Sequence, residues 1–323
     1  MRRGVHQAVT SPQCPPSSIQ GALDRPARAL RRLLSGDDAG TPDFVLRMGL
    51  PGDAGIFGPS SVVWQVHGST ATLVGGVRAL ILQALQPSAL AGVERHSRFR
   101  EDPIGRLRNT ARFVTVVTYA STEQVTEECA MVRRVHRHVR GVDPLSGPYD
   151  ASDPFLLRYV HLSLVDSLLE AFQRYSGRPL TSESADEYVR EMNRLAPLLG
   201  FDTVSLPRTV GEMREMLTPA AAGLSVTEST VATLRFLASP PLPRSQRLAY
   251  PVLLRAAQAL LPEQAASLLP SSFGGPTSWI ARRSAELSGR FLVGALGVML
   301  GESPAVRLAG LRLSGPSGAP LDC

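Results

Sequence analysis

Residues 153–177, DPFLLRYVHLSLVDSLLEAFQRYSG, contain the start, body and stop of one helix in a single stretch. Asp153 offers a capping carboxylate, and Pro154 presets φ at the first helical position, where its missing N–H costs nothing. Leu157, Val160, Leu164, Leu168 and Phe172 then recur at three and four, the spacing of one helical face. Gly177 follows Arg174-Tyr175-Ser176 as a stop. The spacing predicts a long core helix and lacks the period of two that a half-buried strand needs.

The same signals recur on both sides. Asp102-Pro103 repeats the capping pair, and Ser121 with Gln124, Ser184 with Glu187 and Ser225 with Glu228 have capping-box spacing. Stops follow at Gly141 after His138-Val139-Arg140, at Gly200 after Leu198-Leu199, and at Pro240-Pro241 after Ser239. Further apolar lines run through Val252, Ala256 and Leu260, and through Leu292, Leu296 and Leu300. Strict alternation is nowhere sustained and no internal repeat appears. The fold class is therefore all-α, most simply a compact multi-helix bundle. Residues 1–43, rich in Pro, Ser, Gly and Arg with one helical patch at 22–34, read as a mobile leader. Residues 44–302 read as a single helical domain and 303–323 as a flexible tail.

With 323 residues and 43% hydrophobic content the chain can bury a sizeable core. All 34 basic residues are arginine. The absence of lysine excludes a Schiff base, a pyridoxal phosphate anchor, a Walker-type phosphate lysine and a lysine general base. The net charge is +6 and the pI about 9.8, but the arginines are scattered without aromatic interleaving, so no nucleic-acid partner is expected. Cys14, Cys129 and Cys323 have no metal-like spacing and suit a reducing compartment. Arg2-Arg3 is followed by no apolar stretch, and the apolar runs near 71–85 and 291–300 are too short or, at Arg78, too interrupted for a transmembrane segment. A soluble, cytoplasmic protein is the expectation.

Chemistry-bearing residues concentrate in the middle of the chain. Arg106 and Thr110 are four apart on the helix from Pro103, sharing a face with Phe113 and Val117. Arg106 either pairs at the rim with Glu101 or Asp102, with Thr110 bonding back to its own helix, or the two line a pocket. On the next helix Val125, Cys129, Val132, His136 and Val139 form a line that predicts a buried His136, flanked by Arg133 and Arg140. That imidazole either hydrogen-bonds within the core or ligates haem iron or a metal through its unprotonated nitrogen. The two arginines either favour a helix C-terminus or reach haem propionates. His161 sits among Leu157, Leu164, Val165 and Leu168 and is expected to be buried; Asp166 and Glu170 are not spaced to orient its ring. His67 and His96 make no H-E-x-x-H pair, Gly75-Gly76 does not match a dinucleotide loop, and no G-x-S-x-G elbow is present.

Four blocks, taken in order, resemble the MpaB-like and latex-clearing-protein (rubber oxygenase catalytic domain) family. They are GGVRALILQALQPSALAGVERHSRFREDPIGRLRNTARFVTVVTYAS from Gly75, VRRVHRHVRG from Val132, YDASDPFLLRYVHLSLVDSLLEAF from Tyr149, and SPPLPRSQRL from Ser239. The resemblance runs from about Gly49 to about Gly275 and implies a globin-like helical core holding haem b (iron). It implies oxidative attack by dioxygen on a hydrophobic small molecule of isoprenoid-like or lipid character. His136 matches the family's proximal iron ligand, Arg106 and Thr110 its Arg and Thr beside the haem, and His161 a further recurrent histidine. Two positions depart from the family: Asn109 stands where latex-clearing members carry lysine, and Gln86 where many relatives read His before Pro. A non-catalytic helical protein binding haem or an apolar ligand is the alternative.

Overall fold

The computed structural model describes residues 41–96, 103–143, 147–202, 206–242, 244–276 and 278–314. The expected leader lies outside them up to residue 40. The helices are α1 (Val62–His67), α2 (Thr72–Ala84), α3 (Pro87–His96), α4 (Pro103–Tyr119) and α5 (Thr122–His136). A hairpin of β1 (Arg140–Asp143) and β2 (Gly147–Asp150) follows, then α6 (Pro154–Tyr175) and α7 (Ser182–Met192). The chain continues with α8 (Val210–Ala222), α9 (Glu228–Ala238), α10 (Tyr250–Ala259), α11 (Glu263–Leu268), α12 (Trp279–Leu300) and α13 (Pro304–Ser314). Single turns at Asp43–Leu46, Ala196–Leu199 and Arg244–Arg247 lie between them. Among the described residues the protein is all-α apart from that hairpin.

The opening stretch forms α6, the central helix. The Asp153 carboxylate accepts from the N–H groups of Phe155 and Leu156, at 2.7 and 3.2 Å. Burial on α6 is wider than one stripe: Leu156, Tyr159, Leu162, Val165 and Leu169 are inside, while Leu157, Val160 and Leu164 are only half-buried. Neighbours on several sides account for this, since α6 packs against α2, α8 and α12, with α1, α3 and α7 also touching it. Two apolar clusters meet on it. One gathers α1, α4, α5, α7 and α13 around Leu162, Val165, Leu169 and Phe172. The other gathers α2, α9, α10 and α12 around Ala171 and Tyr175.

The α2–α6 approach is close because Gly75 has no side chain. A Cβ there would lie 2.8 Å from the Ser167 carbonyl oxygen and 2.9 Å from Leu168 Cα. The same contact buries an ion pair. Arg78 on α2 reaches Asp166 Oδ2 at 2.7 Å, donates to Ser167 Oγ at 2.7 Å, and donates through Nε to the Leu260 carbonyl at 2.9 Å. Asp166 also faces Arg214 of α8 at 3.4 Å, and Arg214 binds Glu170 as well. The arginine that interrupts an apolar run in the sequence is therefore a core cation with an acceptor at each of its three side-chain nitrogens.

Several expectations are corrected. The helix expected to run to Arg140 ends at His136. The chain then turns into β1, where Arg140 pairs with Asp150 and Gly141 with Tyr149. The cap expected at Ser184 is Thr181, and the one expected at Ser225 is Thr227, which closes a reciprocal box with Thr230. The tail expected from 303 is helical over Pro304–Ser314 and docked. Arg312 donates to the carbonyls of Asp53, Met48 and Tyr119 at 3.0, 2.6 and 2.8 Å. No single helix among the described residues is long and apolar enough to cross a membrane.

Candidate functional site

Helices α4 and α5 carry Thr110 and His136 and form a helical hairpin closed by Ala120-Ser121, with Ser121 capping α5. An ion pair fixes their register: Arg112 Nη2 lies 2.7 Å from Glu128 Oε2, with Glu128 buried. The Arg112 guanidinium also stands 5.7 Å over the Phe44 ring. Thr110 precedes this arginine by two residues and is half-buried. Arg106 lies one turn earlier on α4, and its side chain is outside the described residues.

His136 is the last residue of α5 and is half-buried. This corrects the expected continuous stripe. Val125 and Cys129 are fully buried, but Val132 and His136 further along the line are only half-buried as the helix ends. Burial pushes the Cys129 thiol up to about 11, which leaves it an inert core group. Arg133, one turn before His136, donates through Nη1 to the Leu198 carbonyl and lies against Gly200. It therefore satisfies the C-terminus of the Ala196–Leu199 turn. Arg140 lies on a strand instead of flanking His136 on a helix, and its Nε meets Asp150 Oδ2 at 2.9 Å in an exposed pair.

His161 fulfils the expectation of burial. Its ring packs against Phe201 with centroids 5.5 Å apart and a tilt of 59°. Its Nε2 is buried and has no hydrogen-bond partner among the described residues. Burial lowers its pKa to about 4, so the ring is neutral. Arg133 and His161 thus converge on one segment, Leu198–Phe201, from α5 and α6 respectively. Asp166 and Glu170, on the same helix as His161, are committed to the arginine network instead.

His67 is a contrasting case. Nδ1 lies 2.7 Å from Thr118 Oγ1 and Nε2 lies 3.0 Å from the Tyr188 hydroxyl. Thr118 spends its only proton on the Val114 carbonyl at 2.6 Å. Nδ1–H therefore donates to Thr118, and Nε2 accepts from Tyr188. Burial holds this ring near 3, and it is neutral and satisfied. The lone histidine in VVWQVHG gave no sign of these partners, which lie 51 and 121 residues away.

The two departures from the family pattern also have places in the fold. Gln86 is buried; its Oε1 accepts from Ser88 N–H at 2.9 Å and its carbonyl from Leu90 N–H at 3.0 Å, so it caps α3. Asn109 is exposed on α4. Among the described residues no group of three or more His, Cys, Asp or Glu side chains is arranged to hold a metal ion. Of the two candidate histidines, His161 is the buried neutral imidazole with an unpartnered nitrogen, which suits a bound haem, whereas His136 is half-buried at the end of α5.

A family profile described as the ER-bound oxygenase mpaB/B'/Rubber oxygenase, catalytic domain, matches residues 64–296. Comparison with curated proteins gave no match, and comparison with solved structures gave none.

Proposed function

The chain belongs to the mpaB/rubber-oxygenase catalytic-domain family, and on that premise we propose that it is a haem-b-dependent oxygenase acting on a hydrophobic, isoprenoid-like or lipid molecule. Family membership carries the coarse reading, an oxidoreductase that takes a small-molecule substrate and dioxygen. The observation that supports the cofactor is the orphaned, neutral Nε2 of His161 within the matched region. A buried ring nitrogen without a partner costs about 1–3 kcal/mol, which a bound group relieves.

In this reading His136 would hold the iron, and His161, with its unpartnered Nε2, would lie beside the cofactor. Haem, when bound, supplies the redox and dioxygen-binding chemistry that side chains lack. Thr110 and Arg106, which the family resemblance sets beside the haem, would serve as pocket residues on α4. Arg133 holds the Leu198–Phe201 segment against α5, which keeps Phe201 on the His161 ring. The exposed Asn109 offers no ammonium to the pocket, so lysine-dependent steps of latex-clearing relatives are not carried over.

Expression of the full chain with haem supplied tests this. A Soret band, and its shift when carbon monoxide is added to dithionite-reduced protein, are expected. A colourless protein from haem-replete cells would overturn the cofactor assignment and leave a helical binder of an apolar ligand.

A further inference from the structure

Helix α12 is apolar on two opposite sides. Ala285, Gly289 and Val293, four apart, face inward. A Cβ on Gly289 would lie 2.8 Å from both Ala256 Cβ and Tyr175 Cε1, so the helix is seated tightly on α10 and α6. The expected line Leu292, Leu296 and Leu300 is only half-buried and forms a flank. On the outer side Ile280, Leu287, Phe291 and Val298 recur at seven, four and seven residues, which places them within about 40° of one another around the helix. They are 72, 56, 81 and 79% exposed, and Trp279 at the helix start is 78% exposed. A surface helix normally turns charge toward water on this side. A continuous apolar stripe of large side chains marks an interaction surface. A shallow groove lined by Trp279, Ile280, Arg283, Ser284, Leu287 and Ser288 runs along one end of it.

Charge decides the occupant. Arg283 and Arg290 run along one flank of the stripe, seven residues apart. Glu286 pairs with both Arg174, at 2.8 Å, and Arg283, at 3.1 Å, while Arg290 Nε donates to the Arg174 carbonyl at 2.9 Å. Three guanidiniums against one carboxylate leave the margin positive. A second copy would bring the same sign to the contact. The 22–34 segment would too, since it carries Arg25, Arg28, Arg31 and Arg32 against Asp24. An anionic bilayer surface has the opposite sign and accepts Trp, Phe and Leu at the headgroup boundary. Arg282, Arg283, Glu286 and Arg290 in the first half of the helix make insertion of α12 alone across the bilayer costly, and no single helix among the described residues is long and apolar enough to span it.

We propose that α12 docks the protein on an anionic membrane surface, lying in its plane with Ile280, Leu287, Phe291 and Val298 inserted and Arg283 and Arg290 at the phosphate level. The proposal goes beyond the oxygenase reading and does not depend on haem.

Flotation of the full chain with phosphatidylglycerol-containing vesicles tests it, against vesicles of phosphatidylcholine alone. Flotation with the anionic vesicles, weakened by salt, is expected, with a blue shift in emission from Trp279, since the other tryptophan, Trp64, is already buried. Leu287→Asp combined with Phe291→Asp should lower partitioning at least about tenfold without moving the melting curve. Val298→Asp, at the far end of the stripe, should act in the same direction if the double variant fails to fold. Failure of the wild-type chain to float, or flotation unchanged in these variants, would overturn the proposal. So would a dimer that Phe291→Asp dissociates without vesicle binding, which assigns the face to a second copy. Binding that appears only after residues 1–40 are removed would assign it to that segment.

Discussion

His67 and His161 are both buried and neutral, yet their neighbours use both nitrogens of His67 and leave Nε2 of His161 unpaired. Their common property has a consequence for stability. Burial lowers the two pKa values to about 3 and 4, whereas an imidazole in the unfolded chain protonates near 6.5. The unfolded state therefore takes up protons first as pH falls. Stability is full above pH 6.5 and is lost as pH drops toward 4, by on the order of 3 kcal/mol for each ring. Urea midpoints of haem-free protein should fall between pH 7.5 and 4.5, and His161→Phe should flatten part of that fall; a midpoint constant over this range would contradict the assignment. Arg78→Met should cost about 3–5 kcal/mol, because Asp166 would keep its burial and lose its closest cation. The burial of His161 was legible from helical spacing. The role of Arg78 was not, because its partner lies 88 residues away and a lone arginine in an apolar run reads as an interruption. His136 belongs to a buried line only where the helix continues through Val139, and the chain instead leaves α5 at His136 and turns into β1.

The close packing of α2 on α6 makes a paired prediction. Gly75→Val should destabilise by about 1–3 kcal/mol, since its side chain would meet the backbone of α6. Gly76 has nothing within 4 Å of a Cβ, and Gly76→Ala should stabilise by about 0.5–1 kcal/mol through backbone entropy. Denaturant midpoints of the two variants should move in opposite directions; equal shifts would contradict the contact. Helix starts were legible where a single capping candidate preceded the apolar run, as at Asp153 and Ser121. Where several hydroxyls cluster, packing chose among them. Starting α7 after Thr181 brings Ala185, Tyr188, Val189 and Met192 to the core. At α9, Thr227 and Thr230 can cap each other reciprocally. The hairpin was illegible because its strands are four residues long and contain Gly and Pro, leaving no alternation to read.

At the scale of the molecule, α13 returns the chain to its first described turns. Arg312 ties Met48, Asp53 and Tyr119 together through three carbonyls, so the domain closes on itself beyond residue 302. Arg312→Ala should cost about 3 kcal/mol and expose 304–314 to limited proteolysis. Resistance equal to wild type would show that the helix is held by apolar packing alone. The all-α class and the family followed from capping and from ordered blocks spread over the chain. The arrangement of the candidate residues was not legible, because Arg133 and His161 meet only through the later segment Leu198–Phe201. The proposed haem site has His136 as the iron ligand and His161 as a second histidine beside the cofactor. Absorption spectra of His136→Ala and His161→Ala, purified side by side from haem-supplied cells, test it most directly. Loss of the Soret band is expected in His136→Ala, and a retained, shifted band in His161→Ala. A wild-type band in His136→Ala would contradict it.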